Sequence, residues 1–481
     1  MIRSVFEDAN NYMKSGTQLL AVIEKLEEAI NFHDFKTRAS LGDLYEQLLN
    51  DLRGAGNAGE FYTPRAITQF MVDRVNPRLA QRETLIDPAC GTGGFLTAAI
   101  DHLRNQLTAK SSAADKAAIE TLIRGIEKKQ LSYLLCTTNM LLHGIDVPSQ
   151  IEHRNTLGIG WNEWSAHGKV ECVITNPPFG GYEDDGVGSD YPADLRTRET
   201  ADMFMALIVK KLLKENGRAA VVLPDGFLFG DGIKATLKKL LLRDCKLHTI
   251  VRLPKGVFAP YTTIKTNLLF FTRGAMADDG TEHFHTETIW FYEHPYPAGY
   301  KSYSKTKPIR FEELKREQDW WGSEANEFAD REASLFAWKV DFKTRREQAE
   351  AVAQPHWHRA EQLGNEAGGL ENRNRDLRES IRGVSNAKQR QAVETEIDAL
   401  RAQADALRLQ ARDAQAAGDR SYWPIYNLDL KNPNAPEEET HDPDVLLDKY
   451  KTLLGQIEET ENRLKSELAA ALAHHFVSED V

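Results

Sequence analysis

An apolar run, Cys172-Val173-Ile174, ends in Asn176-Pro177-Pro178-Phe179 and then passes into glycine and acid, "GGYEDDG". The Asn side chain offers an amide oxygen. Pro177 has no N–H and a fixed φ, so its carbonyl can be presented as a rigid second acceptor. Two fixed acceptors suit an amino group that must lose conjugation with an aromatic ring. Accepting both of its N–H bonds localises the nitrogen lone pair and makes it a nucleophile. Phe179 offers a face on which a planar base can stack. Nothing in the stretch is a strong base. The chemistry that fits is therefore driven by alignment and electrostatics, an in-line attack on a methyl sulfonium. A proline turn closing a strand accounts for Pro177-Pro178, but leaves Asn176 and Phe179 unexplained.

A second stretch, "DPACGTGGF", runs from Asp87 to Phe95. A strand ends, Gly91, Gly93 and Gly94 make a tight turn around Thr92, and a helix starts. That places backbone N–H groups and the positive end of a helix dipole beside the carboxyl edge of a sheet. Glycine lets a ligand approach the backbone closely. The pattern is neither GxGxxG nor GKS/GKT, which disfavours a dinucleotide-dependent dehydrogenase or an NTPase. The next strand, "LIRGIE", ends at Glu127, where a doubly wound fold holds ribose hydroxyls. Loop and acid together favour an adenosine-bearing cofactor.

From Thr84 to about Gly274 strands and helices alternate, which predicts a mainly parallel sheet with helices on both faces. "LHTIVRLP" and "TNLLFFTRG" have no helix between them and read as an antiparallel edge pair; "TETIWFYEH" reads as an edge strand. "ADMFMALIVKKLLKENG" reads as one helix with Gly217 just past its end. Before this region, residues 1–58 carry helical periodicity. Beyond it, Leu363, Leu370, Leu377 and Val384 recur every seven residues. Val393, Ile397, Leu400, Ala404, Leu407, Ala411 and Ala414 then continue at spacings of four and three, a heptad seam whose break suggests a hairpin, with a solvated surface helix an equal reading of the charged tract. A further helical seam runs from Tyr450 to Leu468.

The chain has 481 residues, 41% hydrophobic and 27% charged, with a net charge of −12. That length implies two or three domains, and the acidity weighs against an unaided grip on nucleic acid. No apolar run is long enough to span a bilayer and no signal core opens the chain, so the expectation is a cytoplasmic protein without membrane contact. The cysteines, Cys90, Cys136, Cys172 and Cys245, form no CxxC pair and read as reduced core thiols; no metal site is expected.

"GEFYTP", "DPACGTGGF" and "NPPF", in that order, resemble the modification (methyltransferase) subunit of type I restriction–modification systems, an adenine-N6 DNA methyltransferase family. "VRLPKGVFAPYTTIKTNLLFF" resembles a later sheet segment of that family. The likeness covers roughly Phe6 to Gly274 and the stretch from about Tyr422 onward. It implies a class I S-adenosylmethionine-dependent α/β fold, a doubly wound sheet with a short N-terminal helical region and long coiled-coil-like C-terminal helices. It implies that Glu60, Phe61, Tyr62, Thr63, Pro64 and Arg65 lie over S-adenosylmethionine, that Asp87, Gly91, Thr92, Gly93 and Gly94 line its methionine end, and that Glu127 holds its ribose. Asn155 or Thr156 would lie near its adenine. Asn176 and Pro177 would hold the N6 amino group of an adenine flipped from duplex DNA, with Pro178 shaping the loop and Phe179 stacking on the base. The stretch 180–200 would be a flap near DNA. Implied partners are a specificity subunit, a second copy of the chain and a restriction (nuclease/translocase) subunit.

The organisation expected is 1–58 helical, 59–350 catalytic, 351–420 a helical insertion and 421–481 a loop and docking helix. The first part is short for the resemblance, which reads Met1 as an internal start. Two other readings remain open at this point. An NPP[FY]-type methyltransferase acting on protein glutamine or on RNA shares the same acceptor logic. An inactive scaffold subunit would retain the cofactor loop without transfer.

Overall fold

The computed structural model describes residues 14–29, 41, 45, 62–145, 148–164, 168–275, 283–383, 386–435 and 443–477. Glu60 and Phe61, like Val384 of the heptad seam, lie outside the described residues. The chain divides into two compact units, Met1–Pro433 and Asn434–Val481.

In the first unit helix α1 (Gly16–Ala29) precedes the sheet-bearing body. Helix α2 (Arg65–Val75) leads to strand β1 (Leu85–Asp87) and α3 (Gly94–Asn105). There follow α4 (Ala113–Leu122), β2 (Ile123–Glu127), α5 (Gln130–Leu142), β3 (Ile151–His153), β4 (Val170–Thr175) and α6 (Thr200–Leu207). Then come β5 (Leu213–Pro224), α7 (Asp225–Phe229), α8 (Ile233–Asp244), β6 (Cys245–Leu253), β7 (Thr266–Arg273), β8 (Thr288–Glu293), α9 (Lys315–Trp320) and β9 (Ala337–Asp341). The described strands form one sheet in the order β3-β2-β1-β4-β5-β7-β6-β8-β9. β1 pairs in parallel with β2 and β4, and β4 with β5, so these strands end at a common edge.

Two departures from the sequence expectation have clear causes. The β6–β7 pair is antiparallel but not at the edge, because β7 inserts between β5 and β6, and β8 and β9 continue the sheet beyond them. The helix from Thr200 does not reach Gly217. It loosens into one π turn at Ile208–Leu212, and Leu213 then pairs with Val170 across a register shift. Asn216 takes the left-handed conformation at φ 59°. A Cβ on Gly217 would stand 2.8 Å from the Lys214 carbonyl oxygen and 3.1 Å from that of Glu171. The glycine is thus required by a backbone crossing at the start of a strand, not by a helix cap.

Each face of the sheet carries its own core. On one side α2 and α3 bury Ile67, Phe70, Leu96 and Ile100 against Ile174, Val222 and Phe270. On the other, α6 and α8 bury Met203, Leu207, Leu237 and Leu241 against Val173, Val221 and Leu269. This second core extends to Phe342, Ala353 and Tyr422, the base of a long hairpin of α10 (Phe342–Ser380) and α11 (Ala387–Tyr422). Along the hairpin Leu363, Ile397, Leu400 and Ala404 are buried as the heptads predict, and Ala360, Ala367 and Asn374 supply the other seam position. Asn374 donates to the Ile397 carbonyl at 2.7 Å, a buried polar contact of the kind that fixes helix register.

The second unit contains α12 (Pro443–Val477), whose Leu447, Tyr450, Leu453, Ile457, Leu464 and Leu468 are exposed. Among the described residues no helix is long and apolar enough to cross a membrane.

Candidate active site

The glycine loop after β1 is shaped by two left-handed positions, Gly91 at φ 55° and Gly93 at φ 86°. A Cβ on Gly93 would sit 2.9 Å from the Cys136 sulfur and 3.1 Å from Met140 Cε, so this glycine lets the loop lie against α5. A Cβ on Gly91 would meet nothing within 4 Å; this glycine faces open space. Three side chains hold the loop from outside. Asn139 donates to the Thr92 carbonyl at 3.1 Å, and the Thr156 hydroxyl to the Pro88 carbonyl at 2.5 Å. Glu127 accepts from the Gly91 N–H at 2.9 Å through one oxygen and from the Lys129 N–H at 2.7 Å through the other.

Asp87, at the end of β1, is 1% exposed and accepts from the Ala89 N–H at 3.1 Å. Burial pushes its carboxyl up to about 7; the Thr175 hydroxyl and the Ala89 N–H draw it back, and the neighbouring Glu127 charge adds to the rise. A cationic ligand group placed beside it would favour the charged form.

β4 delivers Asn176 to the same edge. Its amide nitrogen donates to the Thr63 hydroxyl at 3.0 Å. Its amide oxygen is buried and has no partner among the described residues. A buried acceptor left open is costly unless something completes it. Pro177 is buried, and Pro178 and Phe179 are half-buried. The Thr200 hydroxyl, at the start of α6, holds the Pro178 carbonyl at 2.9 Å and the Gly181 carbonyl at 3.2 Å, which ties the loop to the helix behind it. Of the N-terminal segment, Thr63 is buried, Tyr62 and Pro64 are half-buried and Arg65 is exposed at the first turn of α2.

The acidic stretch after Phe179 is pinned at a few buried residues, while Asp184, Asp185, Asp190 and Asp194 stay exposed. Tyr191 and Leu195 are buried, and Tyr191 packs on Trp161 with ring centroids 4.5 Å apart. Glu183 receives Lys128 at 2.9 Å and Asn155 at 3.1 Å. Asp190 takes the Trp161 N–H, and Asp185 pairs with Arg198 at 2.9 Å. Of the acids in 180–195, Glu183 alone is both buried and ion-paired; the aspartates leave negative charge on the surface of this segment. Asn155 and Thr156 hold this loop and the Pro88 carbonyl in place. Sequence reading missed Thr63 as a partner of Asn176, and Lys128 and Glu183 as the brace between the two loops. No local pattern signals contacts over such separations. It also missed that Cys90 and Cys136 meet, sulfur to sulfur, at 3.8 Å as buried free thiols.

Residues 36–363 match the family model described as N-6 DNA Methylase. The chain is 46% identical over 473 residues to the EcoEI methylase subunit of a type I restriction enzyme from Escherichia coli, covering 98% of this chain and 78% of that protein. It is 30% identical over 325 residues to the EcoKI methylase subunit of Escherichia coli K12, covering 65% of this chain and 59% of that one. Among solved structures, a modification subunit assigned to a type I restriction enzyme of Vibrio vulnificus superposes with a TM-score of 0.63 at 41% identity, over 71% of this chain and 68% of the other. A chain solved in connection with assembly and conformational transition of the type I R-M system gives a TM-score of 0.66 at 30% identity, over 97% and 79%. With the glycine loop and the Asn-Pro-Pro-Phe turn on one sheet edge, the chain belongs to the N-6 DNA methylase family, alongside the methylase subunits of type I restriction enzymes.

Proposed function

We propose that the chain is the adenine-N6 DNA methyltransferase subunit of a type I restriction–modification complex, using S-adenosylmethionine. The observation that carries the reading is the open, buried Asn176 amide oxygen at the sheet edge shared with the Gly91 loop and Glu127. The residues fit the cofactor. Gly91 faces free space, Glu127 is a carboxylate at the end of β2 tied to the Gly91 N–H, and Asp87 is a buried carboxyl suited to an ammonium group. S-adenosylmethionine, when bound, supplies an electrophilic methyl group on a sulfonium.

The chain's own residues then act on the acceptor. Asn176 Oδ1 and the Pro177 carbonyl each accept one N–H of the adenine amino group, drawing its lone pair out of the ring. The Phe179 ring stacks on the flipped base, worth roughly 1–3 kcal/mol per base. The Pro178 carbonyl, held by Thr200, keeps the turn in place. The remaining residues over the cofactor, Glu60, Phe61, Tyr62, Thr63, Pro64, Arg65, Thr92, Gly93 and Gly94, keep the roles that the resemblance gives them.

Partner assembly follows from charge and surface. A net charge of −12 suits a subunit whose grip on DNA is supplied largely by another chain. The exposed apolar seam of α12, by itself, is a helix face that a specificity subunit would cover. A second copy, a nuclease/translocase subunit and a cytoplasmic setting complete the reading.

The test mixes the chain, a specificity subunit, labelled S-adenosylmethionine, duplex DNA, RNA and bystander protein, and asks where label goes. Label in DNA that disappears with Asn176→Ala supports the proposal. Label in RNA or protein would replace it with the other NPP[FY] chemistry, and cofactor binding without transfer would leave a scaffold.

A further inference from the structure

We infer that Thr63 is a positioning residue for methyl transfer, holding the Asn176 amide in place by taking up its –NH2 end when the oxygen meets the base. The inference rests on the reading of the site given above. The Asn176 amide nitrogen donates to Thr63 Oγ1 at 3.0 Å, and both residues are buried, 9% and 8% exposed. The amide oxygen of the same side chain has no partner among the described residues. The two residues are 113 positions apart in the chain. The bond therefore joins the segment ahead of α2 to the loop that holds the base.

An adenine amino group is a donor. It needs Oδ1 turned toward it, and this leaves the Asn176 –NH2 pointing into protein, where it must find an acceptor. A flipped amide would set donor against donor at the base and leave Oδ1 to face Thr63. The Thr63 hydroxyl can accept or donate, so it does not choose alone. It completes the one arrangement in which both ends of the amide are satisfied once the base is in place.

Thr63 is well anchored for this. The Pro64 carbonyl accepts from the Ile67 and Thr68 N–H groups at 2.9 and 3.0 Å to begin α2, and Ile67, Phe70 and Met71 are fully buried beneath. Because Thr63 belongs to the segment that lies over the cofactor in the proposed function, anything that orders that segment also sets the base-holding amide. The two halves of the site are coupled through one hydrogen bond.

The test compares Thr63→Val, Thr63→Ser and Asn176→Ala in the complex with specificity subunit, DNA and S-adenosylmethionine. Thr63→Val keeps the shape and removes the acceptor. The expected result is a kcat about 10–100-fold lower, the size of one buried hydrogen-bonding group left without its partner, a loss larger than the accompanying rise in cofactor Kd, which is measured alongside. Thr63→Ser restores kcat to within about 3-fold of wild type, because the hydroxyl is back. A packing role predicts the opposite ranking, with Val harmless and Ser costly for its lost methyl, and that result overturns the inference. So does a wild-type kcat in Thr63→Val when Asn176→Ala is inactive. If Asn176→Ala itself turns over at the wild-type rate, the underlying reading of the site fails instead.

Discussion

Replacing Asp87 by Asn should stabilise the folded protein, increasingly so as pH rises. Asp87 is 1% exposed, and burial raises its carboxyl from an ordinary 3.8 to about 7 against the pull of the Thr175 hydroxyl and the Ala89 N–H. Between those values the folded state binds the proton and the unfolded chain does not. Stability therefore falls as pH rises from about 4 to about 7 and is flat above. Full ionisation of the carboxyl in its buried place costs about 4 kcal/mol, at about 1.4 kcal/mol for each tenfold loss of acidity. Between about pH 5.5 and about pH 8.5 the share of that cost that changes is about 2 kcal/mol. For a unit of this size it corresponds to a few degrees in Tm. Asn has nearly the same shape and its oxygen can still take the Ala89 N–H, so the variant isolates the charge. The assay is thermal unfolding of wild type and Asp87→Asn at both pH values. The gap in Tm should widen by roughly 2 °C at the higher pH, while the affinity for S-adenosylmethionine falls because the partner for its ammonium is gone. A gap that is the same at both pH values refutes the reasoning.

Other consequences concern the loop and a buried ion pair. Gly91→Ala and Gly93→Ala should separate strain from crowding. Both impose a left-handed conformation on alanine, roughly 1–2 kcal/mol, but only the Gly93 methyl meets Cys136, at 2.9 Å. Gly93→Ala should thus lower Tm more, whereas Gly91→Ala should weaken cofactor binding with the smaller loss of Tm, read by calorimetry. Glu83→Gln should destabilise by about 3–5 kcal/mol, because it leaves Arg218, 9% exposed and 2.6 Å from the Glu83 carboxylate, without its counter-charge. The Glu83 carboxyl is held below its ordinary 4.5; burial raises it, and hydrogen bonds from Arg78 and Arg218 more than reverse that. Wild type should accordingly lose this contribution as pH falls below the ordinary carboxylate range, and the Gln variant should show no such acid-sensitive step in urea unfolding.

What was legible in the sequence was local. The turn at Gly91 and Gly93, the acid closing β2 and the Asn-Pro-Pro-Phe turn each lie within a few residues, and the alternation of strands and helices places them on one edge. The hairpin was legible because Leu363, Ile397 and Leu400 repeat with the helix period; Ala360, Ala367 and Asn374 fill the other seam position with residues too small or polar to register as a pattern. What was not legible depends on distant partners. β7 lies between β5 and β6 because Leu223 pairs with Asn267 and Arg252 pairs with Asn267 from the other side. Helix propensity favours continuing through "KKLLKENG", but pairing of Leu213 with Val170 wins. The Thr63–Asn176 bond, the Glu183–Lys128 brace and the Cys90–Cys136 contact leave no spacing to read.

The central claim is that the Asn176 amide holds an adenine amino group at the edge where the cofactor loop lies. The measurement that tests it most directly is nucleoside analysis of duplex DNA after reaction with the assembled complex, alongside S-adenosylmethionine binding, for wild type and Asn176→Ala. The account predicts N6-methyladenine with wild type, none with the variant, and cofactor affinity unchanged within about 3-fold. N6-methyladenine formed at the wild-type rate by Asn176→Ala, or a methylated base other than adenine in the wild-type digest, would contradict it.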